Sequence, residues 1–514
     1  MFSKVKSCAV HGVDGRMIDV EADVNDGLPV FTMVGYLSSS VREASERVRT
    51  ALKNSGFHLP PKRITINLSP ADMRKDGSGY DLAIATAVLL SLGVTAELPM
   101  EQTLVLGELS LDGSIKAIPG VLPMVICARE EGMTSCIVPK ENVQEAALVQ
   151  GISVIGVSSL QETMEYIQGI KEYENTNVEQ PAVDTSEYLY DIDFSDVVGQ
   201  ESIKRGMEIA AAGFHNVLLT GAAGAGKSML AKRLPTILPQ MSFEESLEVT
   251  KIYSVGGMLP PEGGLIHRRP FRAPHHTISE YALIGGGRVP TPGEGSFAHY
   301  GVLFLDELPE FSKPVLEVLR QPLEDRRIRI SRVQASYEFP ADFMFVAAMN
   351  PCPCGNYPDY RRCSCTEQQI RRYQSKVSGP MLDRIDIRME VKGVKQEALF
   401  SKQKTESSKT IRARVEQARQ MQKERFAGTG LLFNSQLDGK NLEEYITLSA
   451  EGKRLVLQLF EEQELSVRGV HRVLKLARTI ADLAGSEEIE NAHLQEAAFY
   501  RNQDVFAKEV LYGN

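Results

Sequence analysis

Seven cysteines in a chain of 514 residues are too few to build a disulfide framework. Long apolar runs are missing as well. The longest, Leu82 to Val94, spans 13 residues, well short of the ~20 that a membrane-spanning helix needs. The N-terminus, MFSKVKSCAVHG, has no apolar core of the kind a secretion signal requires. There is neither an internal repeat nor a long low-complexity tract, and no sign of charge dominates. Lys plus Arg number 57 and Asp plus Glu 67, a net −10 that argues against unspecific coating of nucleic acid or membrane but leaves room for a local basic surface. These absences point to a cytoplasmic protein with reduced thiols and no membrane partner. What is present is ordinary globular usage, 43% hydrophobic and 24% charged. At ~150 residues per domain the length corresponds to about three domains.

The composition changes between Lys171 and Asp193, where a polar, acidic, proline-containing stretch reads as a linker. Ahead of it, β-type runs at Arg63–Leu68, Thr103–Leu106, Cys136–Val138 and Ser153–Val157 alternate with helical patterns at Ser39–Ser55 and Ala117–Glu131. After it, Val217–Thr220, Val302–Leu305 and Phe343–Ala347 are short, nearly continuous apolar runs, as expected of strands buried on both faces of a parallel sheet. From about Val394 the patterns turn helical. The expected organisation is an α/β unit over 1–170, a linker over 171–192, a doubly wound α/β core over 193–393 and a helical unit over 394–514.

The run Val217–Thr220 enters Gly221-Ala-Ala-Gly224-Ala-Gly226-Lys227-Ser228 and then a helical pattern, which is the P-loop in its strand–loop–helix context. Its glycines let backbone N–H groups converge on phosphate oxygens, Lys227 can reach the β- and γ-phosphates of ATP, and the Ser228 hydroxyl can hold Mg²⁺. A Gly/Ala-rich turn is the competing explanation. Further along, Val302–Leu305 ends in Asp306-Glu307, a strand tip suited to holding Mg²⁺ through Asp306 and to activating a water through Glu307. The third strand, Phe343–Met349, ends at Asn350, placed either to contact the γ-phosphate or the attacking water, or to cap a turn.

Directly after Asn350, Cys352-x-Cys354-x₈-Cys363-x-Cys365 sets four of the seven cysteines within 14 residues. Four thiolates can close a tetrahedral Zn²⁺ site; four free thiols are the alternative. Arg320 to Arg332 holds five arginines, Arg320, Arg326, Arg327, Arg329 and Arg332, against two acids. The segments RIRI and YEF read as hairpin arms, and such a basic loop is either a sequence-independent grip on phosphates or a solvated hairpin. Arg361, Arg362, Arg371 and Arg372, interleaved with Tyr357, Tyr360 and Tyr373, suit stacking on exposed bases or form an ordinary surface. His275 and His276 have no third ligand nearby in sequence and read as structural or substrate-loop residues.

The order P-loop, strand with Asp-Glu, strand with Asn, then helices resembles an AAA+ ATPase. The segments Arg269–Thr277 (RPFRAPHHT), Gly301–Phe311 (GVLFLDELPEF), Ala347–Gly355 (AAMNPCPCG) and Gly379–Asp386 (GPMLDRID) resemble its magnesium-chelatase-like branch, and within it the YifB/ComM proteins. The resemblance implies a ring, usually a hexamer, with nucleotide between subunits. It further implies an arginine finger at Arg384 and a sensor-two arginine at Arg468, where residues alone would suggest a surface pair of Arg384 with Asp383 or Asp386. The N-terminal part resembles the Lon-type protease fold. Aligned through Lys75-Asp76-Gly77, that family's nucleophilic serine falls on Gly79 and its catalytic lysine on Leu122, so Ser78 lacks its base and the unit is expected to be non-proteolytic, unless Lys75 or Lys116 forms an irregular dyad with it. The implied function is an ATP-driven DNA translocase or helicase that promotes branch migration as incoming DNA is recombined, acting on single-stranded or branched DNA. A magnesium-chelatase-type ATPase subunit and a protein-remodelling AAA+ chaperone, the latter with a protein partner for the N-terminal unit, are the alternatives.

Overall fold

The computed structural model describes residues 1–171, 190–260, 264–332, 335–393 and 405–501. Most of the expected linker, and the start of the expected helical unit at 394, lie outside these residues.

Period-two burial organises the first sheet. In β2 (Asp14–Asn25) Ile18, Val20, Ala22 and Val24 are buried while Asp19, Glu21 and Asp23 are half-exposed, the signature of a strand with one face against a core. It pairs antiparallel with β1 (Phe2–His11) and with β4 (Arg63–Ser69), and β3 (Val30–Val34) lies parallel beside β4. On the other side, β5 (Thr103–Val105), β8 (Ser135–Pro139) and β9 (Ser153–Val157) continue the sheet in parallel, giving the order β3-β4-β2-β1-β5-β8-β9. The short strands β6 (Glu108–Leu109) and β7 (Ile115–Lys116) form a ribbon of their own.

Each face of this sheet is closed by helices. Val5 and Ala9 of β1 join one cluster with the helices Ala44–Asn54 and Asp81–Ser91, and Cys8 joins the other with Val121–Glu130. The helix Asp81–Ser91 is buried nearly all round, which is why the longest apolar run of the sequence falls there. The strands β1, β2 and β3 are additions to the sequence-based expectation. The helical pattern at Ser39–Ser55 divides into Ser39–Arg42 and Ala44–Asn54, and that at Ala117–Glu131 begins only at Val121, because Gly120 stands in a left-handed conformation at its start.

The second sheet is wholly parallel: β11 (Phe271–Arg272), β12 (Val302–Leu305), β15 (Met344–Met349), β10 (Val217–Thr220) and β16 (Ile387–Glu390), in that spatial order. β10, β12 and β15 are buried along their whole length. This agrees with the three apolar runs and with a doubly wound α/β core. Between β12 and β15 in sequence, β13 (Arg327–Ser331) and β14 (Ser336–Pro340) form an antiparallel hairpin. The helices Ser408–Arg425 and Val467–Leu483 pack on Glu201–Gly213, and Ala450–Glu462 and Asn491–Arg501 complete a helical end. Among the described residues, no helix is long and apolar enough to cross a membrane.

The first sheet is seated on the second part through specific contacts. Gly120 N donates to Ser254 O at 2.9 Å, Ser254 Oγ donates to the buried Glu145 at 2.6 Å, and Lys251 pairs with Asp14 at 3.0 Å. The His11 ring stacks on Tyr337 of β14, centroids 4.6 Å apart.

Asp386 links β16 to the helical end. It accepts from Arg472 at 3.0 Å, faces His215 Nδ1 at 3.3 Å, and is held well below the usual carboxylate range by His215 and Arg472 against the opposing effect of burial. A lowered folded-state value means that the stabilisation is complete above the unfolded value of about 3.9 and is lost as pH falls through the lower folded value. Asp386→Asn is expected to destabilise by about 3 kcal/mol at pH 7, the scale for breaking a buried pair. In urea unfolding read by circular dichroism, the gap between variant and wild type should close as pH drops below about 4.

Candidate functional site

The loop after β10 is shaped by close approach. A Cβ on Gly221 would lie 2.3 Å from Val391 O, and Gly224 and Gly226 have φ of +77° and +93°, so glycine is required at the first for space and favoured at the other two for conformation. The helix Lys227–Arg233 starts at the end of this loop. Lys227 is buried, and its Nζ donates to Gly221 O at 2.6 Å, Ala222 O at 2.9 Å and Asn350 Oδ1 at 3.0 Å. Burial pushes its pKa down, and the carboxylates of Asp306 and Glu307 oppose this. The Ser228 hydroxyl donates to Asp306 at 2.5 Å.

The three parallel strands deliver the other groups to the same edge. β12 ends at Asp306 and Glu307, and β15 ends at Asn350; together with Gly224, Lys227 and Ser228 they line one cavity of about 320 Å³. Glu307 has φ +53°, an uncommon conformation for this residue type, and its N–H donates to Asp306 Oδ1 at 2.9 Å. Its carboxylate is exposed and faces His276 Nδ1 at 3.6 Å. That neighbour was missed from sequence: β11 runs parallel beside β12, so the chain leaving it passes Glu307, and strand order cannot be read from the motifs. The cavity can take a phosphate chain against backbone N–H groups and Lys227. Ser228 and Asp306 are a hard-oxygen pair that fits Mg²⁺.

Arg384 and Arg468 lie elsewhere. Both line a separate cavity with Arg326, Arg472 and Lys475, where burial pushes the Lys475 amine down to about 8. Arg384 pairs with Glu324 and donates to Pro380 O at 2.6 Å, not to Asp383 or Asp386 as residues alone would suggest. Asp386 is occupied by Arg472 and His215. Arg468 is exposed.

The four cysteines after Asn350 converge. Cys352 Sγ lies 3.4 Å from Cys354 Sγ and 3.8 Å from Cys363 Sγ, Cys354 lies 3.6 Å from Cys363, and with Cys365 all four sulfurs fall within 4.8 Å of one another. Ligands at about 2.3 Å from a tetrahedral Zn²⁺ stand about 3.8 Å apart, so the set fits that ion. Backbone N–H groups of Asn356 and Ser364 draw the Cys354 thiol down to about 6.

The basic segments divide differently from expectation. Arg320 belongs to the helix Arg320–Asp325 and pairs with Glu317, and Arg326 pairs with Asp342. Only Arg327 and Arg329 lie in β13, both paired with Glu338, and Arg332 follows just after it. Tyr373 is buried and therefore not free to stack on bases, whereas Tyr360 is exposed. In the N-terminal part, Ser78 donates to Glu108, and the ammonium of Lys75 is buried against the carbonyls of Pro70 and Met73. Ser78 and Lys75 thus have separate partners.

Comparison with known proteins bears on this geometry. Residues 193–399 match the family described as magnesium chelatase, subunit ChlI, residues 20–142 match subunit ChlI of Mg-chelatase, and residues 405–501 match its C-terminal family. The chain is 41% identical to the protein YifB of Escherichia coli over 504 residues, 98% of this chain and 97% of that protein. It is 41% identical to competence protein ComM of Haemophilus influenzae over 503 residues, 97% of each. Lon protease 2 of Bacillus subtilis matches over 183 residues at 30% identity, 32% of each chain.

Proposed function

The chain belongs to the YifB/ComM family of magnesium-chelatase-like AAA+ ATPases, and from that premise we propose that it is a ring-forming motor that hydrolyses ATP to move along single-stranded or branched DNA. The observation that carries the reading is the insertion of the β13–β14 hairpin between β12, which ends at Asp306 and Glu307, and β15, which ends at Asn350. The hairpin leads directly into the start of β15, the strand that ends at Asn350, and its first arm carries Arg327 and Arg329, with Arg332 just after it. Arginines on a hairpin grip phosphates without reading bases. A relative named as a competence protein fits a DNA substrate better than a porphyrin one.

In this reading the loop from Gly221 to Gly226 and Lys227 hold the phosphates, and Ser228 and Asp306 hold Mg²⁺, which neutralises charge on the phosphoryl oxygens when bound. Glu307 accepts the proton of the attacking water. Asn350, already on Lys227 Nζ, orients the γ-phosphate or that water. Arg384 and Arg468 line a cavity of mixed charge that does not include Lys227; in the ring Arg384 is the finger offered to the nucleotide of a neighbouring copy, and Arg468 the sensor-two arginine. A guanidinium arriving from a neighbour makes hydrolysis depend on assembly.

Wild type and Glu307→Gln are to be compared for ATP hydrolysis with and without forked or single-stranded DNA, at low and moderate salt. The expected result is stimulation by DNA that weakens steeply with salt, and a loss of at least about 100-fold in the variant with nucleotide binding retained. Hydrolysis that responds to a porphyrin or to a protein substrate instead of DNA would assign the motor to one of those loads.

The N-terminal unit, from the first residue to about 170, is proposed to be a non-proteolytic relative of the Lon fold. Casein hydrolysis, with or without ATP, should be at background and unchanged in Ser78→Ala; turnover abolished by that substitution would overturn the assignment.

The four cysteines are proposed to hold one structural Zn²⁺ per chain. Elemental analysis of protein purified without chelators should give about one equivalent, lost in a Cys352→Ser Cys363→Ser double variant. Less than half an equivalent in wild type would overturn it.

A further inference from the structure

The cysteine segment starts where the nucleotide cavity ends. β15 delivers Asn350 into that cavity, and the chain then runs without helix or strand from Pro351 until Thr366 caps the helix Glu367–Gln374. It is anchored at its start by Gln374 Nε2, which donates to Pro351 O at 3.0 Å. Of residues 351 to 366, only Pro351, Cys352 and Gly355 are buried. So little buried surface cannot offset the ordering of such a segment, which costs about 1–2 kcal/mol per residue. Metal–thiolate bonds are the available source of that order.

The buried part faces the phosphate-binding loop. Gly355 has φ +81°, and a Cβ there would lie 3.4 Å from Ala223 N and 3.9 Å from Asn350 Cγ. Ala223 belongs to the loop that lines the nucleotide cavity, and Asn350 accepts from Lys227. On the far side, Glu307, Asn350, Cys354 and Cys365 line one cleft. The metal loop thus lies alongside the phosphate-binding loop, with room for no more than a side-chain atom between Gly355 and the backbone that must hold its shape when phosphates arrive.

We propose that the Zn²⁺ on Cys352, Cys354, Cys363 and Cys365 and the nucleotide at the phosphate loop are thermodynamically coupled, each raising the affinity of the other through the close approach of Gly355 to Ala223 and Asn350. This rests on the zinc reading above. The differential interaction is explicit: with zinc bound, the segment is fixed against Ala223 and Asn350, and without it that support is gone. Coupling between binding sites is reciprocal, so the factor by which zinc strengthens nucleotide binding equals the factor by which nucleotide strengthens zinc binding. About tenfold is the expected size.

The test uses the full-length chain. Zinc content is measured first, and absence of zinc overturns the zinc reading and the coupling together. The chain is then titrated with the chromogenic chelator 4-(2-pyridylazo)resorcinol, with and without a non-hydrolysable ATP analogue and Mg²⁺, until zinc transfer reaches equilibrium. Nucleotide should make zinc about tenfold harder to withdraw, and the protection should vanish in Lys227→Ala, which separates an effect of occupied protein from binding of zinc by free nucleotide. Equal zinc retention with and without nucleotide in zinc-loaded wild type overturns the coupling and leaves the zinc reading standing. Should the zinc-depleted chain unfold, Gly355→Val supplies the second arm. It keeps all four thiols, and is expected to retain one zinc, bind a fluorescent ATP analogue about tenfold more weakly and lose the protection. Wild-type affinity and wild-type protection in that variant overturn the proposed route.

Discussion

The arrangement around the nucleotide cavity depends on one buried cation. Lys227 is enclosed by the loop that carries it, and its ammonium is shared among the carbonyls of Gly221 and Ala222 and the amide oxygen of Asn350. A buried ammonium without partners would be strongly penalised. Its three acceptors therefore fix the loop to the end of the neighbouring strand β15. The parallel pairing of β10 with β15, and of β15 with β12, then sets where Asp306 and Glu307 stand. A phosphate chain entering this cavity takes over donors that already have partners inside the protein, so its arrival must rearrange Lys227 and, through it, Asn350.

Legibility from sequence followed burial and periodicity. β10 and β12 were readable to the residue and β15 nearly so, because strands buried on both faces leave uninterrupted apolar runs. The loop between β10 and its helix was readable because its glycine positions are constrained by Val391 and by left-handed backbone. By contrast, β1 and β2 went unread. Their alternation mixes an exposed Lys4 and half-exposed Lys6, Asp19, Glu21 and Asp23 with the buried positions, a pattern that an apolar run does not reveal. Helix ends failed where a single residue decides them, as at Gly120.

The site was legible in kind but not in arrangement. Asp306, Glu307, Asn350 and the cysteine cluster are local in sequence; the structure places the first three around one cavity and the four sulfurs within 4.8 Å of one another. What sequence could not supply were long-range pairings: His276 beside Glu307, Glu324 in place of Asp383 or Asp386 on Arg384, and Glu338 on Arg327 and Arg329. Each depends on strand order or on a hairpin register, and neither is encoded in a short motif.

The stack of His11 on Tyr337 ties the turn between the first two strands to the outer arm of the hairpin, with Gly12 close enough to Glu338 that a Cβ there would lie 3.0 Å from its carbonyl oxygen. The hairpin is therefore a beam supported at both ends, rooted where β15 begins, at the edge of the ATPase sheet opposite Asn350, and resting on the N-terminal sheet. A beam fixed at one end only bends freely under load; one held at two points passes part of the load to its second support. Any load applied at Arg327 and Arg329 would for that reason be shared with the N-terminal sheet, whose stiffness then sets how far the hairpin yields.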